Sequence, residues 1–254
     1  MGSTIMYLEG ITVSFDGFKA VDHLSTYVEY GELRFLIGPN GAGKTTLLDV
    51  ICGRVKPERG RVIFKEDIDM CRKQEHEIVR LGISRKFQTP AVFTNLSVFE
   101  NLELSLRQNR GVFSSLFAKL TSDQEDIIFS NLETIGLAEK AWDKAGSLAH
   151  GEKQWLEIGM LLVQEPELLL LDEPVAGMTK SETEKTGELL QSIAKNRSVL
   201  VVEHDMEFVR QFAKKVTVLH EGKILCEGPV EKVQNDQRVV EVYLGRGREK
   251  NVKH

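Results

Sequence analysis

Cysteine, proline and aromatic residues are all scarce in this sequence. Its 254 residues include 3 cysteines and 6 prolines, and 7% of them are aromatic. Because the cysteines are odd in number and widely spaced, the sequence indicates neither a disulfide framework nor a zinc site. We therefore expect a reducing, cytosolic environment.

Long apolar runs and excess positive charge are also missing. The longest apolar run, at residues 168–171, is far shorter than the ~20 residues that cross a bilayer. The first residues show no signal-peptide pattern. A formal net charge of −5 lacks the basic excess that non-specific binding to nucleic acid requires. We therefore expect a chain that does not span a membrane and has no nucleic-acid partner.

Strand and helix patterns alternate along most of the chain and favour an α/β fold. Residues 89–158 differ, because apolar residues recur there at helical spacing. The pattern predicts a single domain over residues 1–245 and a disordered tail at 246–254. Within the domain it predicts a core at about 1–88 and 159–245, and a helical subdomain at about 89–158.

Individual elements can be predicted from periodicity and from cap and turn residues. Thr179 and Glu182 match a capping box that opens a helix reaching about Lys195. The predicted strands are 7–15, 26–29 (after a loop), 33–37, 61–65, 168–171 and 198–202. The other predicted elements are helices at 43–52, 206–215 and 230–244, and a hairpin at 216–227 that turns at 221–223.

The strongest motif is a glycine-rich loop that matches the pattern G-x-x-x-x-G-K-[ST]. Its backbone N–H groups can converge on phosphate, and the following helix adds its positive N-terminus. Lys44 is expected to reach the β- and γ-phosphates, and the Thr45 hydroxyl to bind Mg²⁺. The predicted nucleotide-binding residues are Gly38, Pro39, Asn40, Gly41, Ala42, Gly43, Lys44, Thr45 and Thr46.

Two further strand ends carry polar side chains suited to phosphate chemistry. The apolar run at 168–171 ends in Asp172 and Glu173, and His204 follows the run at 198–202. Asp172 is the candidate Mg²⁺ ligand and Glu173 the candidate base that polarises the attacking water. His204 could hydrogen-bond the γ-phosphate. Alone, each would be an ordinary strand end; the glycine-rich loop favours the functional interpretation.

Three weaker signals complete the set of candidate residues. Gln88 lies where the core gives way to the helical segment, and its amide could bind Mg²⁺ or its water. The turn at residues 148–154 precedes a helix and is a second potential anion site, although by itself it is an ordinary helix start. Phe15 could stack on adenine or belong to the core, and Phe18 is the neighbouring alternative.

These motifs, in this order, resemble the nucleotide-binding subunit of ATP-binding cassette (ABC) transporters over residues 7–245. The resemblance implies a P-loop NTPase (RecA-like) core with an antiparallel β subdomain and an inserted helical subdomain. It also implies ATP hydrolysis with ATP and Mg²⁺, in a head-to-tail dimer at the cytoplasmic face of the membrane. The implied partners are a second ATP-binding subunit, transmembrane permease subunits and, indirectly, a substrate-binding protein.

The segment that reads L-S-G-G-Q in this family differs here. The residues implied to contact the ATP of the opposite subunit are Ala149, His150, Gly151 and Glu152, and Ala149, His150 and Glu152 depart from the family pattern. Thr179 stands where the family has an aspartate. Ala149 has no hydroxyl, so the contact that the family's serine makes with phosphate is absent. Thr179 has no carboxylate, so coupling between the two subunits through the family's aspartate is in question.

These departures are typical of the ATPases of branched-chain amino acid and urea importers. Residues 155–162 and 174–179 look most like the urea branch, so urea is the expected solute. The alternatives are a branched-chain or polar amino acid importer, a lipid or lipopolysaccharide transporter, and a soluble ABC ATPase without a transport role. Whether the dimer pairs identical subunits is left open by the sequence.

Overall fold

The computed structural model describes residues 4–86, 91–106 and 120–242. An antiparallel sheet with strand order β2-β1-β4-β5 begins the fold. The first two strands form a long hairpin, and β4 pairs with the other edge of β1. The strands are β1 (Thr4–Phe15), β2 (Phe18–Glu29), β4 (Arg59–Phe64) and β5 (Ile68–Asp69).

The second sheet has six strands in the order β10-β9-β3-β8-β7-β6. All neighbours except β10 and β9 run parallel. Every residue of β3, β7 and β8 is buried, as expected for a parallel sheet that helices cover on both faces. Its strands are β3 (Leu33–Ile37), β6 (Ile83–Lys86), β7 (Leu168–Asp172), β8 (Ser198–Val202), β9 (Lys215–His220) and β10 (Lys223–Pro229).

Several helices begin at side-chain caps that the sequence supplies. Ser97, Thr121 and Thr179 each accept a hydrogen bond from a backbone N–H of the first turn, which satisfies a donor that the helix leaves open. The helices are α1 (Lys44–Ile51), α2 (Glu75–Arg80), α3 (Val98–Ser105), α4 (Ser122–Thr134), α5 (His150–Leu162), α6 (Lys180–Ile193), α7 (Met206–Phe212) and α8 (Val230–Gln234).

The loop predicted before residue 26 is wrong, because β2 begins at Phe18. Phe15 pairs with Phe18 across a two-residue turn. Asp16 and Gly17 in that turn have φ values of 49° and 84°. Two consecutive positive φ values fit a type I′ turn, which matches the twist of an antiparallel hairpin. The Asp-Gly pair therefore joins two long strands directly.

Two predicted helices differ from the structure, one in its end and the other in its continuity. The helix predicted at 206–215 ends at Phe212, because Lys215 begins β9 and pairs with Arg34 of β3. The helix predicted at 230–244 is interrupted after Gln234 and resumes at 237–242. Asp236 caps the second part by accepting a hydrogen bond from the backbone N–H of Arg238 at 3.0 Å.

Helices α6 and α7 pack closely at a glycine. A methyl group at residue 187 would overlap the ring of Phe212. Phe212 is buried and stacks at a tilt on Phe208, which in turn packs edge-on against Phe35 of β3. Gly187 therefore allows α6 and α7 to approach the same face of the parallel sheet.

We expect the Gly187→Ala variant to be less stable, although alanine is the better helix former. Alanine gains about 1 kcal/mol of helix propensity, whereas forcing a methyl group into a filled core costs about 1–3 kcal/mol. Guanidinium chloride unfolding should give a lower midpoint. Glu184→Ala, at an exposed position of the same helix, is the control and should change the midpoint little. A midpoint at or above that of the parent for Gly187→Ala would contradict the packing argument.

Candidate functional site

The carboxyl ends of three parallel strands lie side by side in one row. Val202 of β8 is in register with Leu36 of β3 on one side and with Asp172 of β7 on the other. The loops that follow these strands therefore emerge together at one edge of the sheet. Open α/β sheets bind ligands at this edge, beyond the carboxyl ends of their strands.

The glycine-rich loop connects β3 to α1, as the sequence predicts. The Lys44 ammonium lies within it and donates hydrogen bonds to the carbonyls of Gly38 at 2.7 Å and Pro39 at 3.1 Å. Gly43 has a φ of 100°, and a Cβ there would overlap the Ala20 carbonyl of β2. The antiparallel sheet thus packs directly on the loop and requires glycine at its last position.

Asp172 is held in a buried group of charges at the end of β7. It is 2% exposed, and burial raises the pKa of its carboxyl while the Arg85 guanidinium opposes that rise. Arg85 lies 3.3 Å from Asp172 Oδ2 and 2.6 Å from Asp49 Oδ1 of α1. The motifs did not reveal Arg85 and Asp49, because their pairing depends on which strand and helix become neighbours.

One oxygen of this buried group of charges is suited to bind a magnesium ion. Among the described residues, Asp172 Oδ1 is buried and has no hydrogen-bond partner, which suits it to act as a ligand. The side chain of Thr45 is exposed at the start of α1. In the stretches of chain that the structure describes, no three or more acidic, histidine or cysteine side chains form a group that could hold a metal ion. Because Mg²⁺ typically combines one or two protein oxygens with phosphate and water, this sparse set is sufficient.

Glu173 and His204 face each other at the same edge. Glu173 Oε1 lies 3.4 Å from His204 Nδ1, and the Glu173 side chain is 30% exposed. The backbone of Glu173 has a φ of 49° and donates its N–H to Val202 O at 2.9 Å. Such strained backbone is concentrated at functional sites. The pair can accept a proton from water and donate a hydrogen bond to phosphate.

The segment at the start of α5 contacts the loop that follows Glu173. His150 Nε2 lies 3.1 Å from the Ala176 carbonyl. The Glu182 carboxylate accepts hydrogen bonds from Thr179 and from the Gly151 backbone, which lower its pKa. The Glu152 carboxylate accepts the Ala149 N–H at 3.0 Å, and its pKa is also low because it pairs with Lys140.

The remaining predicted residues are less tightly placed. Phe15 and Phe18 flank the first hairpin turn and are 48% and 66% exposed. The core interpretation of Phe15 is therefore wrong, whereas stacking on a base stays a prediction. Thr46 is half-buried in the first turn of α1. Gln88 lies outside the described residues.

This arrangement is that of a phosphate-loop ATPase fold, with the candidate site at the strand ends. Residues 21–176 match the ABC transporter family, and residues 223–249 match a family described as branched-chain amino acid ATP-binding cassette transporter. The chain belongs to the ABC transporter family. It is an ATP-binding subunit of the kind that binds and hydrolyses ATP to drive transport.

Similar proteins match the chain over nearly its full length. The high-affinity branched-chain amino acid transport ATP-binding protein LivG of Salmonella typhimurium is 35% identical, covering 96% of this chain and 99% of the relative. The probable LivG of Archaeoglobus fulgidus is 34% identical, covering 95% of each. The ADP conformation of the ABC transporter cassette MJ1267 superposes with a TM-score of 0.84 at 32% identity, covering 95% of this chain and 99% of that one.

We expect Arg85→Met to destabilise the protein by about 3 kcal/mol, because removing one partner of a buried ion pair leaves the other charge without compensation. Arg54→Met is the matched control. Arg54 lies 3.9 Å from the same Asp49 carboxylate but its side chain is half-exposed, so its loss should cost about 0–1 kcal/mol. Denaturant titration measures both variants. Equal effects would contradict the role assigned to the buried group.

Proposed function

We propose that this chain is the ATP-hydrolysing subunit of an importer for branched-chain amino acids. The observation that carries the proposal is the end-to-end similarity to LivG proteins, together with the match of residues 223–249 to a branched-chain amino acid cassette family. These relatives are named for branched-chain amino acids and do not support the expectation of urea. Urea is the second candidate because of residues 155–162 and 174–179.

The proposed cycle assigns each candidate residue a role. Lys44 and the backbone of residues 38–46 bind the phosphates. Thr45, Asp172 and Gln88 would hold Mg²⁺, which would neutralise phosphate charge. Glu173 orients and deprotonates the attacking water, and His204 hydrogen-bonds the γ-phosphate. Phe15 stacks on the adenine.

The active unit in this proposal is a head-to-tail dimer with a second ATP-binding subunit. Ala149, His150, Gly151 and Glu152 of each copy would contact the γ-phosphate held by the other. ATP therefore binds the closed state better than the open state, and hydrolysis removes the bridging phosphate. The core at about 1–88 and 159–245 would carry one half of each site and the helical subdomain at about 89–158 the other.

We infer peripheral attachment to permease subunits at the cytoplasmic face. Within the part of the chain that the structure describes, no helix is both long and apolar enough to span a bilayer. A groove of about 220 Å³ lies between β6 and α5 and is lined by Lys86, Ala91, Ser105, Glu157, Met160 and Leu161. This groove is the proposed contact for a permease segment, and a substrate-binding protein would act through the permease.

We expect Glu173→Gln to bind ATP normally and to lose turnover by a factor of about 100 or more, because the amide cannot accept the proton of water. Glu165→Gln is the control. Glu165 also has a positive φ, 51°, but it lies before the amino end of β7. Nucleotide-binding titration and steady-state ATPase measurements separate the two effects. Parental turnover in Glu173→Gln would reject the base assignment.

The second prediction concerns the transported solute. The chain is assembled in vesicles together with its permease subunits and candidate binding proteins, and ATP hydrolysis is measured. We expect leucine, isoleucine or valine to stimulate ATP hydrolysis, since a loaded binding protein favours the closed state. Urea is added in parallel. Stimulation by urea alone would replace the branched-chain proposal with the urea candidate, and stimulation by neither would reject both.

A further inference from the structure

A buried carboxylate joins the two loops that carry Glu173 and His204. Glu203 is 1% exposed. Its Oε1 accepts a hydrogen bond from the Val175 N–H at 3.3 Å, and its Oε2 accepts one from the His204 N–H at 3.1 Å. Each carboxylate oxygen thus serves a different loop. A buried carboxyl group is costly unless such bonds compensate it.

These bonds act close to the reacting groups. Val175 lies two residues after Glu173, and His204 follows Glu203 directly. Because Glu173 Oε1 and His204 Nδ1 are 3.4 Å apart, a small shift of either loop changes their separation. The backbone of Glu173 is itself in a strained conformation with positive φ, so its loop requires contacts that hold it there.

We propose that Glu203 is a positioning residue for ATP hydrolysis, which fixes the loop after Glu173 against the loop of His204 so that the pair keeps its geometry. The proposal rests on the roles proposed above for Glu173 and His204. It does not depend on which solute is transported, because it concerns the hydrolytic site alone.

Burying the Glu203 carboxylate lowers the stability of the folded protein. Burial raises the pKa of Glu203 from 4.5 to about 7, although its hydrogen bonds from Val175 and His204 oppose the rise. Because the folded-state pKa is above the unfolded one, the folded protein loses stability as the pH rises from about 4.5 to about 7. Groups kept despite such a cost are typical of functional sites.

The first test is Glu203→Gln, which keeps the size of the side chain and one acceptor oxygen. We expect kcat for ATP to fall about tenfold, because small misplacements of reacting groups cost one to two orders of magnitude. ATP affinity should stay within about twofold, since the phosphate loop is untouched. At pH 8 the unfolding temperature should change little, because removing the buried charge offsets the backbone N–H that loses its acceptor.

The second test asks whether Glu203 acts through the reacting pair. In a double-mutant cycle, Glu203→Gln should lower kcat little further once His204→Ala is present, since residues that act as a unit are not additive. Glu227→Gln is the matched control. Glu227 is a half-buried carboxylate bonded to Arg34, Thr26 and Thr217, so any effect it has should multiply with that of His204→Ala.

Two results would overturn the proposal. The first is a parental kcat in Glu203→Gln, and the second is an effect that multiplies fully with His204→Ala. Because basal ATP turnover is measured without solute, a wrong solute assignment does not affect the result. If Glu173→Gln kept parental turnover while Glu203→Gln lost it, the role of Glu173 would fail and positioning of His204 would stand.

Discussion

The parallel register of β3, β8 and β7 fixes the geometry of the candidate site and of the loops around it. Because Val202 pairs with both Leu36 and Asp172, three loops leave the sheet at one level. A slip of one residue would turn Asp172 to the opposite face and separate it from Arg85. The apolar side chains of these strands, buried on both faces, oppose such a slip, so the core determines the geometry of the site.

This edge of the sheet also concentrates charges that the protein interior would otherwise exclude. Asp172, Arg85, Lys44 and Glu203 are all buried there. Each is compensated by a specific partner: an opposite charge, loop carbonyls or backbone N–H groups. Burial still raises the pKa of both carboxyls. The site is therefore preorganised for a charged ligand at the expense of stability, as electrostatic catalysis requires.

The contacts of α5 change the interpretation of the unusual residues at its start. The Ala176 carbonyl lies within hydrogen-bonding distance of His150, and Gly151 donates to Glu182. The helical segment is thus tied to the loop after Glu173 within one chain. Ala149 and Thr179 lack the hydroxyl and the carboxylate of the family pattern, so these contacts offer a different physical link between α5 and the site.

Local sequence patterns specify the strand–loop–helix at Lys44, the buried strand that ends in Asp172 and Glu173, and the capping box at Thr179. Each is a local pattern of apolar period, glycine and polar residue. The sequence prediction misses the Asp16-Gly17 hairpin, although its signal is local. It also misses the end of α7, because pairing of Lys215 with β3 overrides helical periodicity.

The partners of the buried charges depend on the tertiary structure. Arg85 meets Asp49 and Asp172 across 36 and 87 residues of chain, and Glu203 reaches Val175 across 28. No local pattern specifies these pairs, because they follow from the order of the strands in the sheet. The sequence thus determines which chemical groups are present, and the packing of the strands determines which of them act together.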